Sequence, residues 1–98
     1  MAKWTIIPVA QAELERAYAY YHEHGSERVA NEFFDAALDA IGKIAENPGL
    51  WPAEDDEYRF FVLPRHSYAV VYRIEDAQNV RIVAVSHTSR APGYWKGR

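Results

Sequence analysis

The chain has no cysteine, a single methionine, and only five glycines and five prolines in 98 residues. Without cysteine there is no disulfide framework, no thiolate metal site and no cysteine nucleophile. No apolar run approaches the ~18 residues of a membrane span. Met1–Thr5 holds one basic residue with no apolar stretch behind it, so a secretory leader is not expected. The scattered glycines form neither a phosphate-cradling loop nor a nucleophile elbow. What is present reads as globular: 49% of residues are hydrophobic and 26% charged, outside the disordered range. The length fits one domain, residues 1–98, with a modest core. A cytoplasmic location is the expectation.

Charge is unevenly placed. Before Tyr58 there are four basic and twelve acidic residues; from Tyr58 onward there are seven basic and two acidic. The net charge of −3 therefore hides an acidic front and a basic back. Either the basic half meets an anionic partner, or helices simply carry Glu while strands tolerate Arg.

The hydrophobic pattern predicts β-α-α-β-β-β. Trp4–Val9 is apolar and β-branched, with Pro8 marking an edge strand or a strand end. From Ala10 the period changes: Leu14, Ala17, Tyr18 and Tyr21 share one helical face. Gly25 is expected to end that helix in the left-handed conformation, and Ser26 to cap the next. The second helix carries a wide stripe including Phe33, Phe34, Leu38, Ile41 and Ile44, enough to touch both the sheet and helix 1. Asn47-Pro48-Gly49 ends it. After a turn-rich link with the acidic run Glu54–Glu57, read as solvated loop, three strands follow at Tyr58–Leu63, Tyr68–Ile74 and Val80–His87. Short links make them an antiparallel meander. A turn centred on residue 77 places Arg73 opposite Arg81, Val71 opposite Val83 and Ala69 opposite Val85. The facing arginines either splay into solvent or are answered by an acidic group. The fold class is α+β, a helical hairpin packed on a small, mainly antiparallel sheet, which leaves a second sheet face to be covered.

Few residues could carry chemistry. His22 and His24 stand two apart on a helix and cannot share a metal, and no other ligand set is apparent. No cofactor is expected. Acid–base work on RNA would need a proton acceptor, a donor and cations for the phosphate. His87, Tyr94, Arg59, Arg81 and Arg90 are the residues able to supply them. The closing stretch His87-Thr88-Ser89-Arg90-Ala91-Pro92-Gly93-Tyr94-Trp95 ends on two large amphipathic side chains. They either fold back onto the core or anchor a partner.

Taken together, several stretches resemble the RelE/ParE superfamily of bacterial toxins from type II toxin–antitoxin systems, more ParE than RelE. They are Ala12-Glu13-Leu14-Glu15 with Ala19-Tyr20-Tyr21; Ile44-Ala45-Glu46-Asn47-Pro48; Tyr58-Arg59 with Leu63; Tyr68 with Val70-Val71-Tyr72-Arg73; and Val85, His87, Arg90, Pro92 and Tyr94-Trp95. Each is weak alone; in this order, over nearly the whole chain, they are specific.

The resemblance implies a function. RelE-type toxins cut mRNA on the ribosome with a basic ensemble and a tyrosine; by position Arg59 and Tyr94 stand for two of those residues. Phe61, Ala69 and Thr88 occupy places where such a ribonuclease carries cations, and an acidic protein docks poorly on ribosomal RNA. ParE-type toxins instead inhibit DNA gyrase without chemistry of their own. The expected scheme has two surfaces. Arg59, Arg73, Arg81, Arg90, Tyr94 and Trp95 meet gyrase. A ParD-like antitoxin folds a helix over the hairpin at Tyr18, Tyr20, Phe34, Leu38 and Ile41 and lays an extended stretch near the sheet. Operator DNA is contacted only through the antitoxin complex. Two alternatives remain: a ribosome-dependent endonuclease using Arg59, Tyr94, Arg90 and His87, and a relic that only pairs with its antitoxin.

Overall fold

The first apolar run divides at its proline. In the computed structural model, which describes residues 1–98, Lys3–Ile6 form strand β1 and Pro8 opens helix α1 (Pro8–His24). The run is therefore not a strand to Val9, and the helix begins before Ala10. Proline lacks the N–H that a first helical turn leaves unpaired, and its fixed φ suits that position. Ile7 stands at the N-cap with no side-chain bond.

Gly25 ends α1 but is not left-handed: φ is −127° and ψ −105°. Glycine is needed there for room, because a Cβ would lie 2.8 Å from the Tyr21 carbonyl oxygen. Helix α2 (Glu27–Glu46) follows at once, with Ser26 Oγ accepting from the Val29 N–H at 3.1 Å. Its buried residues include Ala30, Phe33, Ala37, Ile41 and Ile44, a three–four spacing that presents one stripe to the sheet.

The remaining strands are β2 (Arg59–Val62), β3 (Tyr68–Asp76) and β4 (Asn79–His87). Sheet order is β1-β4-β3-β2. β3 is antiparallel to β2 and β4, whereas β1 runs parallel to β4. A parallel pair needs a long crossover, which the helical hairpin and the β2–β3 excursion supply.

Arg73 does face Arg81, but the register beyond them differs by one residue from the simple hairpin. Val71 pairs with Ala84 and Ala69 with Ser86. Tyr72 pairs with Ile82, so Val83 is an extra residue in β4. This bulge turns Val83 and Ala84 to the same face and sends Val85 to the helix side. Both arginines are answered by acids. Arg81 Nε lies 2.7 Å from Glu75, and Arg73 Nη1 lies 3.9 Å from Glu57, so the acidic link is in part structural.

Two hydrophobic clusters sandwich the sheet. The larger, between sheet and helices, includes Leu14, Phe33, Ile41, Ile44, Val70, Tyr72 and Ile82. The smaller, on the far face, comprises Tyr58, Val71, Val83, Ala84 and Trp95. The segment after β4 thus folds back and covers the second face.

Tyr72 is fully buried and donates to the Pro48 carbonyl, tying β3 to the end of α2. Burial pushes its phenol up to about 12, with Arg59 acting in the opposite direction. An unfolded tyrosine loses its proton near pH ~10. The neutral phenol therefore favours the fold fully below that pH, and the contribution is lost as pH rises toward the folded value. A two-unit shift corresponds to roughly 2–3 kcal/mol. Urea titrations at about pH 9 and about pH 11 should show stability falling across this window. Tyr72→Phe should weaken the fall while leaving the share due to Tyr21, Tyr68 and Tyr94, which burial also raises. An unchanged slope in the variant would exclude Tyr72 as its source.

Candidate functional site

The residues proposed for one basic surface do not converge. Arg59 pairs across the ladder with Tyr72, and neighbours across a ladder share a face, so Arg59 lies on the helix side. There its Nη1 donates to the carbonyls of Trp51 at 2.7 Å and Gly49 at 3.2 Å. It holds the 47–58 link, together with Trp51, whose ring packs on Phe61 at 4.5 Å. Arg73 and Arg81 lie on the opposite face, with Arg73 beside the Tyr58 ring at 6.0 Å. The expectation that Arg59 joins Tyr94 is corrected by this register.

Around Tyr94 the structure builds a cluster that sequence reasoning missed. Its centre is Glu13 on α1, only 6% exposed. Glu13 Oε1 accepts from the Val85 N–H at 3.1 Å and from Arg98 Nη1 at 3.0 Å. Its Oε2 accepts from the Tyr94 hydroxyl at 2.8 Å and from Arg98 Nη2 at 3.3 Å. Arg90 Nη1 stands 3.7 Å from the same oxygen. Both guanidinium groups lie over the Tyr94 ring, Arg90 at 3.8 Å and Arg98 at 5.0 Å from its centre. Arg98 Nη1 also donates to the Val83 carbonyl at 2.9 Å.

The cause is the early exit of β1. Its chain leaves the ladder after the Ile7 N–H bonds the Ile82 carbonyl, so β4 beyond Ile82 loses its parallel neighbour. Glu13 and Arg98 satisfy the Val83 carbonyl and Val85 N–H that follow. The available signal was a carboxylate on an apolar stripe: Glu13 sits with Ala10, Leu14 and Ala17 on the buried face of α1.

Burial pushes the Tyr94 phenol above its ordinary value, and Glu13 adds to the effect while Ser86 and Arg90 act against it. Tyr94 is thus a neutral donor committed to Glu13. His87 Nδ1 accepts from the Ser89 N–H at 3.1 Å and lies 2.7 Å from Ser89 Oγ. A ring nitrogen that accepts a backbone N–H carries no proton, so the neutral ring bears its hydrogen on Nε2. Trp95 is buried, with no acceptor for its indole N–H. It is the packing anchor of the closing segment rather than an exposed contact.

On the hairpin, Ile41 is 1% exposed and belongs to the core, which removes it from the contact set. Tyr20 and Leu38 are exposed, and Tyr18 and Phe34 half-buried. Tyr18 and Phe34 meet edge to face at 6.0 Å, and the Tyr18 hydroxyl donates to Asn31 at 3.0 Å. These two residues line a shallow groove with Glu15 and Asn31. Tyr20 instead borders a second hollow with Tyr68, His87 and Arg90, so the proposed contacts lie on two sides of α1. No helix is long and apolar enough to cross a membrane.

A helical hairpin on one face of a β1-β4-β3-β2 sheet, with a closing segment across the other, is an α+β architecture. A solved structure described as the chromosomal ParDE TA system from P. aeruginosa is similar over 89% of this chain and 96% of its own, at a TM-score of 0.74 and 18% identity. The family profile described as ParE toxin of type II toxin-antitoxin system, parDE, matches residues 5–92, and the chain belongs to that family. No curated protein matches the sequence.

Proposed function

We propose that this ParE-family chain inhibits DNA gyrase without catalysing a reaction and is neutralised by a cognate, ParD-like antitoxin. One observation carries the choice between gyrase and message: the candidate ribonuclease residues are divided. Arg59, on the edge strand β2, is tied to two carbonyls on the helix side of the sheet, whereas the Tyr94 ring packs on the far-face cluster and its hydroxyl is tied to Glu13 at the open edge of β4. RNA cleavage needs its acid, base and phosphate-binding cations around one scissile bond.

The target surface is then the far sheet face and closing segment, with Arg73, Arg81 and Arg90 as its charged contacts. Tyr94 and Trp95 hold the segment in place. The antitoxin surface is the outer hairpin groove at Tyr18 and Phe34 with the exposed Leu38 beside it, and Tyr20 lies on the other side of α1. An amphipathic helix that folds on binding fits such a groove.

The test is supercoiling by gyrase of the same organism with the purified protein titrated in. Lost supercoiling with trapped cleaved DNA is the expected result. Unimpaired supercoiling from a folded, antitoxin-binding sample would overturn the proposal. Codon-boundary cuts in translated message, removed by Tyr94→Phe, would then assign the ribonuclease activity instead.

A further inference from the structure

A cleft of about 220 Å³ opens on the far face of the sheet, beneath the closing segment. Val62, Ala69, Val71 and the Trp95 indole supply its apolar walls, and His87 and Arg90 border it. Small-molecule sites commonly occupy ~300–1,000 Å³, so this space suits one large side chain rather than a cofactor. Its border carries one cation, Arg90. Arg90 is half-exposed, held along one edge by Glu13 and stacked on Tyr94. A half-exposed guanidinium at the rim of an apolar pocket calls for a ligand that brings an acceptor.

Two anionic partners would meet that chemistry, a carboxylate-bearing protein segment and a nucleic acid. Glu54 lines the same cleft and begins the acidic run to Glu57, in a chain of net charge −3. A polyphosphate laid across this border meets repulsion along its length, whereas one carboxylate beside Arg90 does not.

We infer that the cleft receives one large apolar side chain, flanked by a carboxylate, from a protein partner. That the partner is gyrase rests on the function proposed above; the chemistry of the cleft does not.

Two measurements separate these statements. In the first, the indole N–H resonances of the labelled protein are followed while N-acetyl-phenylalaninate or its uncharged amide is added. The Trp95 resonance should move with both, and the carboxylate should bind at least about tenfold more tightly. Arg90→Ala should erase the difference. No movement of the Trp95 resonance, or equal binding of acid and amide, overturns the inference, as does tighter binding of a 5′-phosphorylated dinucleotide.

In the second, gyrase inhibition is compared for Val62→Glu, Val62→Lys and Ala69→Phe. Val62 is about half-exposed at the sheet edge, so its variants should fold, and antitoxin binding checks this. Val62→Glu and Ala69→Phe should raise the half-inhibitory concentration at least about tenfold, and Val62→Lys by clearly less. Wild-type inhibition with all three variants unaffected overturns the inference and leaves the gyrase function standing. A wild-type protein that does not inhibit gyrase overturns the gyrase function, and the resonance measurement alone then decides the chemistry of the cleft.

Discussion

Glu13→Ala should cost about 3–5 kcal/mol of folding stability, the usual loss when one partner of a buried charge cluster is removed. The substitution takes away the acceptor of the Val85 N–H, the Tyr94 hydroxyl and both Arg98 nitrogens. Val85 N–H is left in the protein interior with nothing to bond, and Arg98 loses its counter-charge. Glu13→Gln should cost less, because a carbonyl oxygen can still accept from Val85 while the new amide faces donors. Urea denaturation of the two variants measures the difference. Equal small losses would mean that water enters the cluster and replaces the carboxylate, so that Glu13 does not hold the closing segment. The magnitude matters for function, since a domain of this size is stabilised by only ~5–15 kcal/mol in total.

Trp95→Ala should be comparably destabilising, at about 3–5 kcal/mol for removing a buried tryptophan. Trp95 is 6% exposed and packs with Tyr58, Val71 and Val83 on the far face of the sheet. Its loss uncovers that face and frees residues 88–98 except where Glu13 retains them. Chemical denaturation gives the stability change, and binding of a hydrophobic dye reports the uncovered surface. A loss below about 1 kcal/mol without dye binding would show that the segment is held by the Glu13 cluster alone. Partner effects should separate. Under the function proposed above, antitoxin binding at the hairpin should persist wherever the variant stays folded, while gyrase inhibition should fall.

These two residues hold the segment by different physics. Trp95 contributes apolar burial, which is insensitive to direction. Glu13 contributes hydrogen bonds whose geometry sets where Tyr94 and Arg90 stand. Arg90 is consequently placed beside the cleft by a cation–π contact with Tyr94 and a longer approach to Glu13.

The amino-acid sequence determined the order of elements, the hairpin of two helices, the Ser26 cap and the facing of Arg73 with Arg81. These follow from periodicity and short-range turn chemistry, which are properties of neighbouring residues. The family was also legible, because its marks are strung along the chain in order. Tertiary structure alone decided the rest. The extra residue Val83 moved Val85 to the helix side, and a bulge leaves no mark in an unbroken apolar run such as Ile82–Val85. The strand register set Arg59 on the opposite face from Arg73, which no count of arginines reveals. Glu13 and Arg98, 85 positions apart, met only because β1 leaves β4 early and exposes two backbone groups that need partners. Local signals report what a residue prefers; which distant group answers a buried polar atom is settled only when the chain has closed around it.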